Sequence, residues 1–359
     1  MDVHLTAEQI LLRDSAAKFI AAAGPKVASR GRSPSFTPGR LRQIGELGWL
    51  GMLVPSSADG PALGLTELAL VLEQAGRELV CEPIGLAIIA TAALAQGHAP
   101  HPILRRALRG DALVVPALQE SAHDLLALRT LATGDHAPRL TGTKMSVCAD
   151  GADGFLVSAR SSAGPALYYV PRDGVGVSVA TAPTVDGRTL ATVELKDAPA
   201  DLVPARQSSR SAVEALTDLA LIALSAELLG VMEGAQELTF EYLRVRKQFG
   251  KPIGSFQALQ HKAVDVYIKT ETVRSLLYQV AAANDPYRID PELAVAVKAK
   301  ASEDALVVTQ TCIQLHGAIG FTDEHDIGLY LKRAMLLSSL LGNAAAQRRR
   351  YIELAKMKV

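Results

Sequence analysis

Residues 246–262 read RKQFGKPIGSFQALQHK. Apolar positions before and after this stretch recur at helical spacing, while Gly250 and Pro252 interrupt the pattern, so the stretch is a corner between two helices. Arg244, Arg246, Lys247 and Lys251 crowd that corner. A guanidinium fork pairs bidentately with a phosphate, so the corner suits a phosphate ligand. Taken alone it reads first as a solvated basic helix end, because charge runs usually face water.

Helical periodicity predicts four long helices over 210–245, 256–284, 291–316 and 326–357, which together make a bundle. Upstream, between 113 and 203, the texture changes to short apolar runs split by Gly, Asp and Pro, among them ALVVPAL, GFLVSAR, ALYYVPRDG and TVELKDAP. These are strands. No long helical pattern separates them, so they predict an antiparallel sheet, a β-barrel or sandwich, rather than a doubly wound α/β domain. Residues 1–112 are helical again. Thr6 and Gln9 form a capping box ahead of Leu12, Ala16, Phe19 and Ala23, and Leu65, Leu68, Leu72, Ala75 and Leu79 make one apolar stripe. The expected fold is therefore α+β and multidomain: an all-α domain over 1–112, a β domain over 113–203 and a helical bundle over 204–359.

The chain has 359 residues with 37 basic and 37 acidic side chains, a net charge of zero. A polyanion needs a basic excess, so nucleic acid is not an expected partner. Three cysteines, Cys81, Cys148 and Cys312, are odd in number and widely spaced, which argues against a disulfide framework and a structural zinc. The polar start MDVHLTAEQ has no basic region followed by an apolar run, so export is not indicated and a cytoplasmic setting is expected. The apolar stretches 84–95 and 216–232 are respectively too short to span a bilayer and interrupted by Asp218 and Glu227, so both read as buried helix rather than membrane span. GxSxG, P-loop, HExxH and strand-linked GxGxxG signatures are all missing.

A second polar cluster follows the third long helix: residues 313–334 read IQLHGAIGFTDEHDIGLYLKRA. Gly317 and Gly320 would let the backbone approach a flat ligand with no Cβ in the way. The order of the two stretches, with a long helical run between them, strongly resembles the acyl-CoA dehydrogenase family over essentially the whole chain. The resemblance implies an α domain, a β domain and a four-helix bundle, with FAD lying between subunits. The neighbouring protomer of such an assembly supplies an Arg and a Phe from RxxFG and a Gln and a Gly from QxxGGxG. Those roles would fall here to Arg246, Phe249, Gln257, Gln314 and Gly317, with Ala318 in place of the second glycine.

The same resemblance implies a glutamate that removes the α-proton of a thioester while the β-hydride passes to the flavin. One family position for that base corresponds to Leu341, within Leu340-Leu341-Gly342-Asn343, and the other to Ala220; neither can accept a proton. Asp218 is two residues from Ala220 and about 200° around a helix from it, so it reads as a polar-face residue instead. The family's Gly-rich flavin loop corresponds to residues 117–124, ALQESAHD, and its Trp-Ile-Thr wall to Ser146, Val147 and Cys148 after the Gly142-Thr143-Lys144 turn. The resemblance therefore implies a chain that completes a partner's FAD site but lacks its own: the non-catalytic subunit of a heteromeric, α2β2 acyl-CoA dehydrogenase. Electrons would pass to an electron-transfer flavoprotein or similar acceptor, and the substrates would be bulky CoA thioesters such as those of lipid or sterol catabolism. Two other readings stand beside it, a flavin-dependent monooxygenase of the same fold and a non-catalytic scaffolding homologue.

Overall fold

The computed structural model describes residues 4–22, 37–58, 60–96, 101–121, 128–134, 136–204 and 211–356. The first helix starts where its capping box predicts: Gln9 N donates to Thr6 Oγ1 at 3.3 Å, and Thr6 N donates to Gln9 Oε1 at 2.9 Å. The amino-terminal elements are α1 (Ala7–Ala22), α2 (Pro38–Glu46), α3 (Leu65–Arg77), α4 (Ile84–Leu94) and the short α5 (Leu104–Leu108). Leu65, Leu68, Leu72, Ala75 and Leu79 are all buried, as the stripe predicts, although Leu79 lies past the end of α3 with φ at 58°. Ala23, the last member of the predicted α1 stripe, lies outside the described residues.

The strands are β1 (Val114–Ala117), β2 (Leu131–Thr133), β3 (Arg139–Val147), β4 (Gly154–Ser161), β5 (Gly164–Pro171), β6 (Val177–Pro183), β7 (Thr189–Pro199) and β8 (Asp201–Val203). They form one sheet in the order β6-β7-β3-β2-β4-β5-β8, with β1 beside β4. Most pairs are antiparallel, but β1–β4 and β2–β4 are parallel, so the antiparallel expectation is corrected there. Among the described residues β6 and β8 do not pair with each other, so the sheet stays open and is not a closed barrel.

The bundle begins with α6 (Ala212–Val245), of 34 residues, whose Ser211 and Glu214 make a second capping box. It is long and apolar enough to cross a membrane, yet 89% of its most apolar stretch is buried inside the protein. The chain continues through α7 (Gln257–Ala283) and α8 (Pro291–His316). Helices α3 and α6 cross backbone to backbone: a Cβ on Gly230 would lie 1.9 Å from the carbonyl oxygen of Glu73, and one on Gly76 would lie 2.0 Å from that of Glu227. Glycine is required at both positions for this approach.

One predicted helix is in fact two. The segment expected as a single helix over 326–357 divides into α9 (Ile327–Ser339) and α10 (Ala344–Lys356). Between them Leu341 and Gly342 adopt positive φ, 52° and 91°, which ends the α9 ladder. Buried Lys298 of α8 holds this break: its Nζ donates to Ser302 Oγ at 2.8 Å and to the Leu337 and Ser338 carbonyls at 3.0 and 3.3 Å. Those carbonyls are orphans of the α9 terminus, and burial pushes Lys298 down to about 7.

Two polar devices lock the layers together. Arg333 of α9 is fully buried; it donates to Asp186 Oδ2 at 2.6 Å, to Glu227 Oε1 at 3.2 Å and to the carbonyls of Val80 and Leu79 at 2.6 and 3.1 Å. Arg188 donates to Glu227 and, at 2.8 Å, to the same Val80 carbonyl. Amino-terminal helices, sheet and bundle thus meet on one cluster. The expectation for Asp218 is corrected: it is completely buried, and its Oδ1 accepts from Arg350 of α10 at 2.8 Å. An isolated carboxylate could not remain ionised there, so the partner explains its place in an apolar helix.

A third cluster lies between α3, α6 and α7, where Arg274 donates to both Glu73 and Glu233, the latter at 3.2 Å, and Tyr278 donates to Glu73 at 2.6 Å. Burial, with the charge of Glu73 adding to it, pushes Glu233 up to about 7 while Arg274 opposes the rise. The folded state therefore holds a proton that the unfolded chain releases above its ordinary value of 4.5. Stability from this group is full below that value and is lost as the pH rises through about 7. Glu233→Gln should flatten that slope and stabilise the protein at pH 8 by ~1 to 3 kcal/mol, read by urea denaturation at pH 5 and pH 8. An unchanged pH slope in the variant would show that Glu233 is ionised across the range.

Candidate functional site

Five residues singled out in the sequence gather at one end of the bundle. Helix α6 ends at Val245, earlier than the Gly250 and Pro252 break, and Arg246 is its C-cap, donating its N–H to the Tyr242 carbonyl at 2.9 Å. The chain then folds into a short hairpin, Lys247–Gln248 against Lys251–Pro252, with Phe249 at φ 53° and Gly250 at φ 79° in the turn. Ile253 N closes the corner by donating to the Arg246 carbonyl at 2.8 Å. Gln257 is the first residue of α7, and Gln314 and Gly317 close α8.

Antiparallel packing brings these termini together, and the stacking of Tyr242 on His316, with centroids 4.5 Å apart, joins the α6 and α8 ends directly. Arg246, Phe249, Gln257, Gln314 and Gly317 are all exposed. Phe249 exposes 89% of its surface and Phe321 77%, an unusual outlay for aromatic side chains in a chain with few of them. Gly317 has φ at 68° and nothing within 4 Å of where its Cβ would stand, so the backbone there is open to a ligand. An open groove of about 510 Å³ between α7 and α8 is lined by Lys262, Lys269, Gln310 and Gln314. A second, of about 720 Å³, is lined by Arg244, Pro252, Gln260 and Tyr267.

The two positions expected for a base meet at a different place. Ala220 and Leu341 line one cavity of about 30 Å³, together with Leu224, Leu340, Gln119 and Cys148. No carboxylate is among its lining residues. That volume is about one water, whereas small-molecule pockets run to roughly 300–1,000 Å³. The cavity between the two expected base positions is therefore small, while the bundle end is open to solvent.

The closure has identifiable parts that sequence reasoning did not assign. Gln119 Oε1 accepts the Leu341 N–H at 3.2 Å, and Gln347 donates to the Leu341 carbonyl. Lys144 is fully buried and paired with Glu120, and its Nζ also donates to Ser158 Oγ at 2.8 Å. Burial pushes Lys144 down to about 8 against the pull of Glu120. Glu120 further accepts the Thr130 N–H at 3.1 Å, so the side chains of Gln119 and Glu120 are both occupied in internal bonds. Ala122, His123 and Asp124 of that stretch lie outside the described residues. The three cysteines are buried and form no disulfide with one another, and no metal-ligand cluster occurs among the described residues.

Residues 211–354 match the family model for the acyl-CoA dehydrogenase C-terminal domain, and residues 6–104 match the model for the N-terminal domain. Among curated proteins, acyl-CoA dehydrogenase FadE27 of Mycobacterium tuberculosis is 31% identical over 325 residues, covering 86% of each chain. Among solved structures, a variant of the Tcur3481-Tcur3483 steroid ACAD superimposes with a TM-score of 0.90 at 32% identity, covering 98% of each chain. The ChsE4-ChsE5 complex from Mycobacterium tuberculosis gives a TM-score of 0.87 at 29% identity, covering 99% of each chain.

Proposed function

The chain belongs to the acyl-CoA dehydrogenase family, and we propose that within it this protein is the non-catalytic subunit of a heteromeric, FAD-dependent enzyme that dehydrogenates an acyl-CoA thioester at its α,β-carbons. The observation that carries this reading is the contrast between its two sites. The cavity shared by Ala220 and Leu341 holds about 30 Å³, while the bundle end presents Arg246, Phe249, Gln257, Gln314 and Gly317 to solvent. A chain with an open half-site and a closed pocket has a use when a related subunit brings the other half.

FAD, when bound, supplies the hydride acceptor; this chain's part is to hold it. Arg246 would pair with the pyrophosphate, Phe249 and Gln257 would cover and orient the cofactor, and Gln314 with the open backbone at Gly317 would contact it without steric obstruction. The partner would supply the glutamate base and the flavin seat. Solved structures named as a steroid ACAD and as a two-component complex support a heteromeric assembly and a steroid-type CoA thioester as substrate class, and the α2β2 stoichiometry is part of the proposal. A monooxygenase reading gains nothing from the geometry, because it too needs room for a flavin.

Co-expression with a related dehydrogenase subunit tests the assembly. Native mass measurement should show two copies of each chain, and the chain alone should turn over acyl-CoA at background, since loss of a general base alone costs about 10² to 10⁴ in rate. Turnover by the isolated chain on the order of 1 s⁻¹ would contradict the reading.

A further inference from the structure

Three rings join elements at the bundle end that lie far apart in the chain. Tyr242, one turn before Arg246 on α6, stacks on His316, the last residue of α8, with centroids 4.5 Å apart and planes 24° apart. His325, which precedes α9, lies 4.5 Å from the His316 ring and 6.1 Å, edge on, from Tyr242. Its own Nδ1 accepts the Ile327 N–H at 3.2 Å, which anchors the ring to the start of α9. The 3-10 turn Gly317–Phe321 is thus closed by a ring at each side.

His316 is 3% exposed, and its Nδ1 lies 2.8 Å from the Cys312 carbonyl. A carbonyl accepts only, so Nδ1 carries the hydrogen and Nε2 the lone pair. Nε2 is buried without a hydrogen-bond partner, so a second proton there would have no acceptor. Burial and the neighbouring His325 both lower the basicity of His316, against the Cys312 carbonyl, in accord with a neutral ring. A neutral ring stacks on Tyr242 without a desolvated charge.

We propose that His316 is a positioning residue for the flavin-facing edge: stacked on Tyr242 and flanked by His325, it sets the distance between Arg246 on one helix end and Gln314 and Gly317 on the other. The inference rests on the reading that this edge contacts FAD. A ligand touching both helix ends reads their separation, and the stack joins one to the other within a turn of each contact residue.

The test uses His316→Leu, which removes the ring, and His316→Phe, which keeps it, with Tyr242→Leu as a second way to break the stack. Amide hydrogen exchange over Gly317–Phe321 is measured in the full chain, and FAD affinity by flavin fluorescence in the assembled complex, with Arg246→Ala as reference. His316→Leu and Tyr242→Leu should each raise exchange and weaken FAD binding by about 3- to 10-fold, and His316→Phe should restore most of both. Unchanged exchange in both ring-removing variants overturns the clamp. If Arg246→Ala weakens FAD binding and the ring-removing variants do not, the positioning role fails alone; if none of them does, the FAD reading fails with it.

Discussion

Arg333→Met should lower the free energy of unfolding by about 3 to 5 kcal/mol, the usual cost of removing one partner from a buried ion-pair network. The guanidinium is fully buried and makes bonds to Asp186, Glu227 and the Leu79 and Val80 carbonyls, so its loss strands acceptors from all three layers. Methionine fills much of the volume, which separates the electrostatic loss from a cavity. Arg333→Lys should recover only part of the loss, since an ammonium cannot span acceptors set around a planar fork. Urea denaturation reads the difference, and a variant within about 1 kcal/mol of wild type would mean that the cluster is compensated by water or by Arg188.

Arg246→Ala acts at the other end of the molecule and should leave stability nearly unchanged, because Arg246 is an exposed helix cap. In the assembled complex it should remove a charge-assisted contact to the FAD pyrophosphate, weakening FAD binding about 10- to 150-fold, for a contact of roughly 1.5 to 3 kcal/mol. The complex should form, lose flavin on dialysis and regain turnover with excess FAD. Arg246→Lys should rescue part of the affinity. Wild-type retention of flavin would return Arg246 to a solvated helix-end charge.

The helical periodicity and the Thr6–Gln9 capping box were legible in the sequence because their signals are local. The division of α9 from α10 was hidden because apolar spacing continues on both sides of Gly342, and only the positive φ of Leu341 beside it ends the ladder. Asp218 was misread for a different reason: its partner Arg350 is 132 residues away, and nothing local distinguishes a paired buried carboxylate from a solvated one. An open sheet and a closed barrel share one strand pattern, since closure depends on whether the end strands meet. At the site, the motif residues were visible, but the tie between Gln119 and Leu341 that helps seal the small cavity joins residues 222 apart. The ring stack was not legible because Tyr242 lies 74 residues from His316, and no local spacing links them.

In the proposed assembly this chain gives half of a flavin site and holds no flavin of its own. Visible absorbance at the flavin bands, set against protein mass for the chain alone and for its complex with a related dehydrogenase subunit, measures that directly. The expected result is no bound flavin on the isolated chain and one FAD for each pair of unlike chains in the complex. Flavin bound stoichiometrically to this chain alone, or one flavin for every chain in the complex, would contradict it.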